Sequence, residues 1–320
     1  MVKKLVFFRC DGSLQIGTGH VMRCICLATA LQKKGYDCVF VTNSEAYEII
    51  DKLKSFPRFN PQDFFTKKPQ CDLLVIDNYS LDINYEKNFK NSAKKILVID
   101  DLADREHFCD ILIDQNLGTK IEDYKNLVNE NCKILVGSEY CILREEFSNL
   151  RPQAEQKRKL TKQIKKILIN FGGNDLDNHC LKALDMVEKS NFSGDIDVVL
   201  GFNPLHLSSI SDFAKKSKNK INIHYNANMA QMILDADLAI AAGGTSTWER
   251  LCLLLPTYLI KIADNQEKIF DFMEKIISST QSFNEYLQYL SNNYQEICFK
   301  QKSLVDGNGV IKIINFFENA

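Results

Sequence analysis

The stretch Phe8-Arg9-Cys10-Asp11-Gly12-Ser13-Leu14-Gln15-Ile16-Gly17-Thr18-Gly19-His20-Val21-Met22-Arg23 decides how this 320-residue chain is read. Just before it, Lys4-Leu5-Val6-Phe7-Phe8 is a short apolar run that predicts a buried strand. Arg9 to Ile16 reads as a polar loop, and Gly17-Thr18-Gly19 as a tight turn. From Val21 the apolar spacing becomes helical through Met22, Cys26, Leu27, Ala30 and Leu31. A glycine turn that leaves a strand and opens a helix is where α/β sheets bind anions, because free backbone N–H groups and the helix dipole face the ligand. His20 stands at the mouth of this turn. On local grounds two readings are open: a residue that caps or packs the helix start, or a titratable base beside a phosphate pocket. The full dinucleotide fingerprint is absent, since Met22 stands where Gly or Ala belongs. The Lys-Ser/Thr phosphate-loop pattern is absent too.

The length suits two domains of about 150 residues each. Apolar content of 45% and charged content of 25% are ordinary for a globular protein in water. A net charge of −1 with no basic half removes nucleic acid as the default partner. Met1-Val2-Lys3-Lys4 and its apolar run meet Arg9 and Asp11 too soon for a signal peptide. No run approaches the ~20 apolar residues of a membrane span, so the expectation is a cytosolic chain without a membrane partner. The 11 cysteines include no Cys-x-x-Cys pair, and Cys24 and Cys26 point in different directions on a helix. An odd count among apolar segments fits reduced thiols.

The first half alternates strands at Lys4–Phe8, Cys38–Thr42, Leu73–Asp77, Ile96–Asp100, Ile111–Asp114 and Lys133–Val136 with helices at Val21–Lys34, Glu45–Leu53 and Tyr85–Ser92. This rhythm predicts right-handed βαβ units and a parallel sheet. It breaks near Phe147–Lys166, where Arg151-Pro152-Gln153-Ala154-Glu155-Gln156-Lys157-Arg158-Lys159 is the best linker candidate, part of it readable as a solvated helix. The rhythm then restarts with strands at Lys166–Phe171, Ile196–Leu200, Ile221–His224, Leu238–Ala241 and Thr257–Ile260. The expectation is therefore α/β, with two Rossmann-like doubly wound domains at residues 1–155 and 156–320 facing a cleft. That arrangement suits a nucleotide sugar better than a dinucleotide.

In the second half, Gly243-Gly244-Thr245-Ser246-Thr247 repeats the device of the first loop: small residues and hydroxyls before a helix. It reads as a diphosphate cradle. Glu249 can accept two hydrogen bonds from a ribose diol, or merely complement the helix dipole. Gly172-Gly173 allows close backbone approach, and Asn174-Asp175 reads equally as an N-cap. Asp235-Ala236-Asp237 resembles the metal-binding Asp-x-Asp of glycosyltransferases but precedes its strand, at the end away from the predicted cleft. Asp195-Ile196-Asp197 is placed alike, and the five histidines show no ligand spacing, so no metal site is expected.

The first loop resembles the opening of the UDP-2,4-diacetamido-2,4,6-trideoxy-β-L-altropyranose hydrolases of pseudaminic acid biosynthesis. The similarity recurs at Ile76-Asp77-Asn78-Tyr79, Ile99-Asp100-Asp101, Asp114-Gln115-Asn116 and Tyr140-Cys141-Ile142-Leu143-Arg144-Glu145-Glu146-Phe147. It continues at Asn170-Phe171-Gly172-Gly173-Asn174-Asp175, Gly243–Glu249, Asp264-Asn265-Gln266 and Leu304-Val305-Asp306-Gly307-Asn308-Gly309. The resemblance implies a GT-B-like fold and a cytoplasmic, cofactor-free and metal-free hydrolase that serves flagellin glycosylation. Water would attack the anomeric carbon of a UDP-sugar with inversion. It implies His20 as the base, with Tyr79, Asn265, Arg9, Asp11 and Gly19 near the sugar. Gly172, Gly173, Thr245, Ser246 and Glu249 would hold UDP. The chain departs from the family after Gln266, where a glycine turn is replaced by Ser278-Ser279-Thr280-Gln281. Two other functions fit the same fold: a GT-B glycosyltransferase with a UDP-sugar donor, and a non-catalytic nucleotide-sugar binder.

Overall fold

The computed structural model describes residues 3–319 apart from 14, 174, 202, 203, 226, 263–265 and 278–281. The chain divides into two compact units, Met1–Leu143 with Asn308–Ala320, and Arg144–Gly307.

The first unit runs β1 (Leu5–Cys10), α1 (Gly19–Lys33), β2 (Asp37–Val41), α2 (Ser44–Ile49), β3 (Arg58–Phe59), α3 (Pro61–Lys67), β4 (Cys71–Asp77), α4 (Ile83–Lys87), β5 (Ala93–Ile99), β6 (Ile111–Asp114), α5 (Ile121–Tyr124) and β7 (Lys133–Val136). The second runs α6 (Glu145–Leu160), β8 (Lys166–Asn170), α7 (His179–Glu188), β9 (Asp195–Leu200), α8 (Leu207–Ala214), β10 (Lys220–Tyr225), α9 (Met229–Asp235), β11 (Leu238–Ala241), α10 (Ser246–Cys252), β12 (Thr257–Leu259), α11 (Glu267–Ile277) and α12 (Phe283–Lys300). The last helix, α13 (Gly309–Asn319), belongs to the first unit.

The first sheet has the order β3-β2-β1-β4-β5-β6-β7 and the second β10-β9-β8-β11-β12. Every pairing in both is parallel. Parallel strands covered on both faces read as continuous apolar runs, which is why β1 lacks alternation. Val6, Phe8 and Cys10 pack with Val21, Cys24 and Leu27 of α1 and with Ile313 and Phe317 of α13. Phe7, on the opposite face, meets Phe59 and Phe64, in a cluster that also holds Phe89 and Tyr124. In the first sheet the strand order reverses between β1 and β4, and in the second between β8 and β11. Such switch points leave a crevice at the carboxyl ends of the strands. The loops singled out in the sequence follow three of these strands.

Two expectations are corrected. The charged segment expected as a linker is the helix α6, and the expected boundary at 155/156 falls inside it. Its anchor is Arg158, fully buried, which donates to the carbonyls of Ile233 at 2.8 Å, Ala236 at 2.5 Å and Leu253 at 3.4 Å. A guanidinium can occupy a core when carbonyls satisfy its N–H groups. The C-terminal segment also departs from the 156–320 assignment, because the apolar face of α13 packs on the first sheet.

Arg158→Ala orphans three carbonyls and is expected to cost about 3 kcal/mol or more of unfolding free energy. Gln153→Ala, at an exposed position of the same helix, is expected to stay within about 0.5 kcal/mol. Urea unfolding of the two variants checks this, and equal effects would contradict the anchoring role.

Candidate active site

The loop after β1 is folded on itself before α1 begins. Ser13 and Gly17 exchange backbone hydrogen bonds of 3.2 and 3.0 Å, and the Ser13 hydroxyl accepts from Gln15 and Ile16 N–H. Gly17 has φ of +81°, a left-handed conformation that a side chain disfavours. Gly19 is the first residue of α1, and His20 lies in its first turn. The Thr18 side chain makes no cap, so the sequence-level reading of a helix-start histidine is settled by His20's own partners.

Those partners come from β4. Asp77, the last residue of β4, is fully buried, and its Oδ1 lies 2.6 Å from His20 Nδ1. Arg23 Nε and Nη2 donate to its two oxygens, each at 2.5 Å. His20 and Arg23 lie three residues apart, so both reach Asp77 from one helix face. Burial alone raises the Asp77 pKa, but the Arg23 guanidinium, with His20 adding to it, holds it well below the carboxylate range. Asp77 is thus ionised and an acceptor only. The proton in the 2.6 Å bond therefore sits on Nδ1, so that in the neutral imidazole the lone pair is on Nε2. Among the described residues nothing hydrogen-bonds that nitrogen. The side chain is 11% exposed.

A second shell of contacts closes around the imidazole. Arg23 Nη1 donates to Asp101 at 3.1 Å, and Asp101 in turn takes a hydrogen bond from the Tyr79 phenol. The Tyr79 ring meets His20 edge to face, with centroids 4.5 Å apart. Burial, followed by the Asp101 carboxylate, pushes the Tyr79 pKa well up, so the phenol keeps its proton. His20, Asp77, Arg23, Asp101 and Tyr79 make one closed network. Sequence reasoning had His20 and Tyr79 but gave no role to Asp77, Arg23 or Asp101. A signal existed in the acidic residues that end β4 and follow β5.

Arg9 and Asp11 pair with each other, Nη2 to Oδ2 at 2.7 Å. Asp11 also accepts from Asn43 N–H and from Asn78 Nδ2, so it ties three loops together. Arg9 is 7% exposed, and its Nε is buried without a partner among the described residues. Asn265 lies outside the described residues.

In the second unit, Gly172 and Gly173 follow β8, and Gly243 to Ser246 lead from β11 into α10. Gly172 has φ of +86°, and a Cβ added at Gly172, Gly173 or Gly244 would meet nothing within 4 Å. The turn is open to a ligand at its backbone. Gly201, by contrast, must lack a side chain, since a Cβ there would lie 2.0 Å from the Gly173 carbonyl. Thr245 is exposed and Ser246 half-buried. Glu249 pairs with Arg144 at 3.3 Å; burial raises its pKa, and Arg144 counters that. Asp175 does serve as a cap, accepting from His179 and Cys180 N–H at 2.7 and 2.8 Å. The Asp-x-Asp residues have structural partners. Asp237 accepts from Lys165 and Lys166 N–H, and Asp197 is bonded by Asn222 and His224.

No family model matches the chain. The uncharacterized protein MJ1062 of Methanocaldococcus jannaschii is 29% identical over 97% of this chain, which spans 65% of that protein's length. A UDP-2,4-diacetamido-2,4,6-trideoxy-beta-L-altropyranose hydrolase of Campylobacter jejuni is 28% identical over 84% of this chain and 96% of its own. The Bacillus subtilis spore coat polysaccharide biosynthesis protein SpsG is 25% identical over 80% of this chain and 77% of its own. Among solved structures, MurG of Acinetobacter baumannii aligns with a TM-score of 0.70 at 13% identity, covering 99% of this chain and 100% of that one. Arabidopsis thaliana UGT89C1, complexed with UDP-L-rhamnose, aligns with a TM-score of 0.61 at 10% identity over 99% of this chain and 100% of that one. The likenesses to the solved structures are of fold. The chain has the α/β architecture with two parallel sheets of the GT-B glycosyltransferases, as the sequence predicted.

Removing Arg23 leaves a buried carboxylate without its ion pair, with His20 as its remaining partner described above. Arg23→Ala is expected to lose about 3–5 kcal/mol at pH 7. A carboxylate with a depressed folded pKa stabilises fully above its unfolded value, about 3.9, and that contribution fades as the pH falls below it. The deficit of Arg23→Ala should therefore be largest at neutral pH and shrink below about pH 4. Chemical unfolding at pH 7 and pH 3 checks this, and a pH-independent deficit would contradict it.

Proposed function

We propose that the chain releases UDP from a UDP-linked 2,4-diacetamido-2,4,6-trideoxyhexose by attack of water at the anomeric carbon with inversion. The observation that carries this reading is the His20–Asp77 pair. It is an imidazole with its Nδ1 proton engaged and its Nε2 left as acceptor, beside a glycine turn at a switch point of the first sheet. The similarity to the Campylobacter jejuni hydrolase, over most of both chains, supports the choice of substrate class.

In this reading the first unit carries the base and the second carries the nucleotide. His20 Nε2 takes a proton from water as its oxygen bonds to the anomeric carbon. The bond from that carbon to the phosphate oxygen breaks, and UDP leaves with the electron pair. Asp77 keeps the imidazole in the useful tautomer and stabilises the imidazolium that forms. Tyr79, exposed at its ring and held by Asp101, lines the sugar side with Arg9, Asp11, Gly19 and Asn265. The N–H groups near Gly172, Gly173 and Gly244 and the hydroxyls of Thr245 and Ser246 meet the charge that develops on the diphosphate. The reading assigns no step to a metal. Glu249, steadied by Arg144, takes the ribose diol. The free sugar released would feed pseudaminic acid synthesis.

The test is incubation of purified chain with the UDP-sugar and no acceptor, following UDP and free sugar. Release is expected without any acceptor, and His20→Ala should lower turnover by about 10²–10⁴ while UDP still binds. Turnover that needs an acceptor would make the chain a transferase. Binding without turnover would make it a nucleotide-sugar binder. Activity of His20→Ala within a few-fold of wild type would remove His20 from the mechanism.

A further inference from the structure

Behind the turn between β11 and α10 lies a cation that, among the described residues, is bonded only by neutral groups. Arg250 is 2% exposed. Its Nε donates to Thr257 Oγ1 at 3.2 Å and its Nη1 to Ser246 Oγ at 2.8 Å. Its Nη2 donates to the Ala242 carbonyl at 2.9 Å and to Thr247 Oγ1 at 3.0 Å. The carboxylate that acts on it electrostatically belongs to its neighbour Glu249, which is itself paired with Arg144. Burial, only partly offset by Glu249, pulls the Arg250 pKa down to about 10. Of the buried arginines described above, Arg158 is bonded by carbonyls in the core, whereas Arg23, beside a loop like this one, is bonded by two carboxylates and held well above its usual value. A buried charge is costly unless paired, and among the described residues Arg250 has no carboxylate bonded to it.

The four acceptors span the whole turn. Ala242 follows β11, Ser246 and Thr247 open α10, and Thr257 begins β12. A hydroxyl that accepts from a guanidinium has a lone pair occupied and its hydrogen free to donate elsewhere. Thr247 is buried and acts as a strut, whereas Ser246 is half-buried beside the exposed Thr245 and the open Gly244 backbone.

We propose that Arg250 is a positioning residue for the diphosphate of a nucleotide: it turns the Ser246 hydroxyl outward as a donor, and the bound anion supplies the charge that its own neutral partners do not. This rests on the nucleotide assignment made above. It adds a residue outside the glycine turn, and it makes the diphosphate the part of the ligand that Arg250 serves, with the nucleoside unaffected.

Calorimetric titration of the full chain with UDP and with uridine separates these contributions. Wild type is expected to prefer UDP strongly. Arg250→Met should shrink that preference at least tenfold while uridine affinity stays within about twofold, and Arg250→Lys should restore part of it. Ser246→Ala should shrink the preference too, and adding it to Arg250→Met should do little more, because both remove one coupled donor. An unchanged ratio of UDP to uridine affinity in folded Arg250→Met overturns the proposal. Should that variant fail to fold, unchanged ratios in Ser246→Ala and Arg250→Lys overturn it equally. Wild type that binds neither UDP nor uridine overturns the nucleotide assignment, and this inference with it.

Discussion

A single buried carboxylate, Asp77, fixes the geometry of the first unit's functional face. A carboxylate fully out of water is tolerated only if cations and donors surround it. Arg23 supplies a two-pronged ion pair and His20 takes the remaining direction, both from the first turns of α1. The demand for compensation thus sets the rotation of α1 against the sheet. It also sets which imidazole nitrogen carries the proton. The apolar packing of Val21, Cys24 and Leu27 against β1 holds the helix at the right height, but packing is non-directional and specifies no tautomer. The directional part of the site comes from the buried charge.

The two units handle charge in opposite ways at equivalent places in their sheets. In the first, an anion at the end of β4 is bonded by the cation Arg23 and by the His20 imidazole. In the second, the cation Arg250 lies behind the turn that follows β11, bonded by hydroxyls and a carbonyl. The first arrangement fixes an imidazole. The second leaves an attraction for an anion unspent. This difference fits the proposed function, in which one unit carries the base and the other the nucleotide.

Much of this was legible in the sequence, for identifiable reasons. Parallel strands covered on both faces stand out as apolar runs, so Ile111–Asp114, Lys133–Val136 and Leu238–Ala241 were placed to the residue. The turn at Gly17 was legible because a left-handed residue before a helix favours glycine. The Asp77 contact was not, because 57 residues separate it from His20 and only the β1–β4 pairing brings them together. Helix α6 was misread because it buries little beyond Phe147, Ala154 and Arg158, and an arginine at a core position looks like a solvated one. The two-residue strand β3 is too short to carry a pattern. The return of α13 was hidden for another reason. An apolar face announces that a helix packs, without saying on which sheet.

The central claim, that water attacks the anomeric carbon of the UDP-sugar, is tested most directly by isotope labelling. Hydrolysis of the UDP-sugar in water enriched in heavy oxygen leaves the label on whichever atom was attacked. Mass spectrometry locates it, and proton NMR of the first-formed sugar reads its anomeric configuration. The account predicts one labelled oxygen on the anomeric carbon of an inverted sugar and unlabelled UDP. Label in the terminal phosphate of UDP, or retention of configuration, would contradict it.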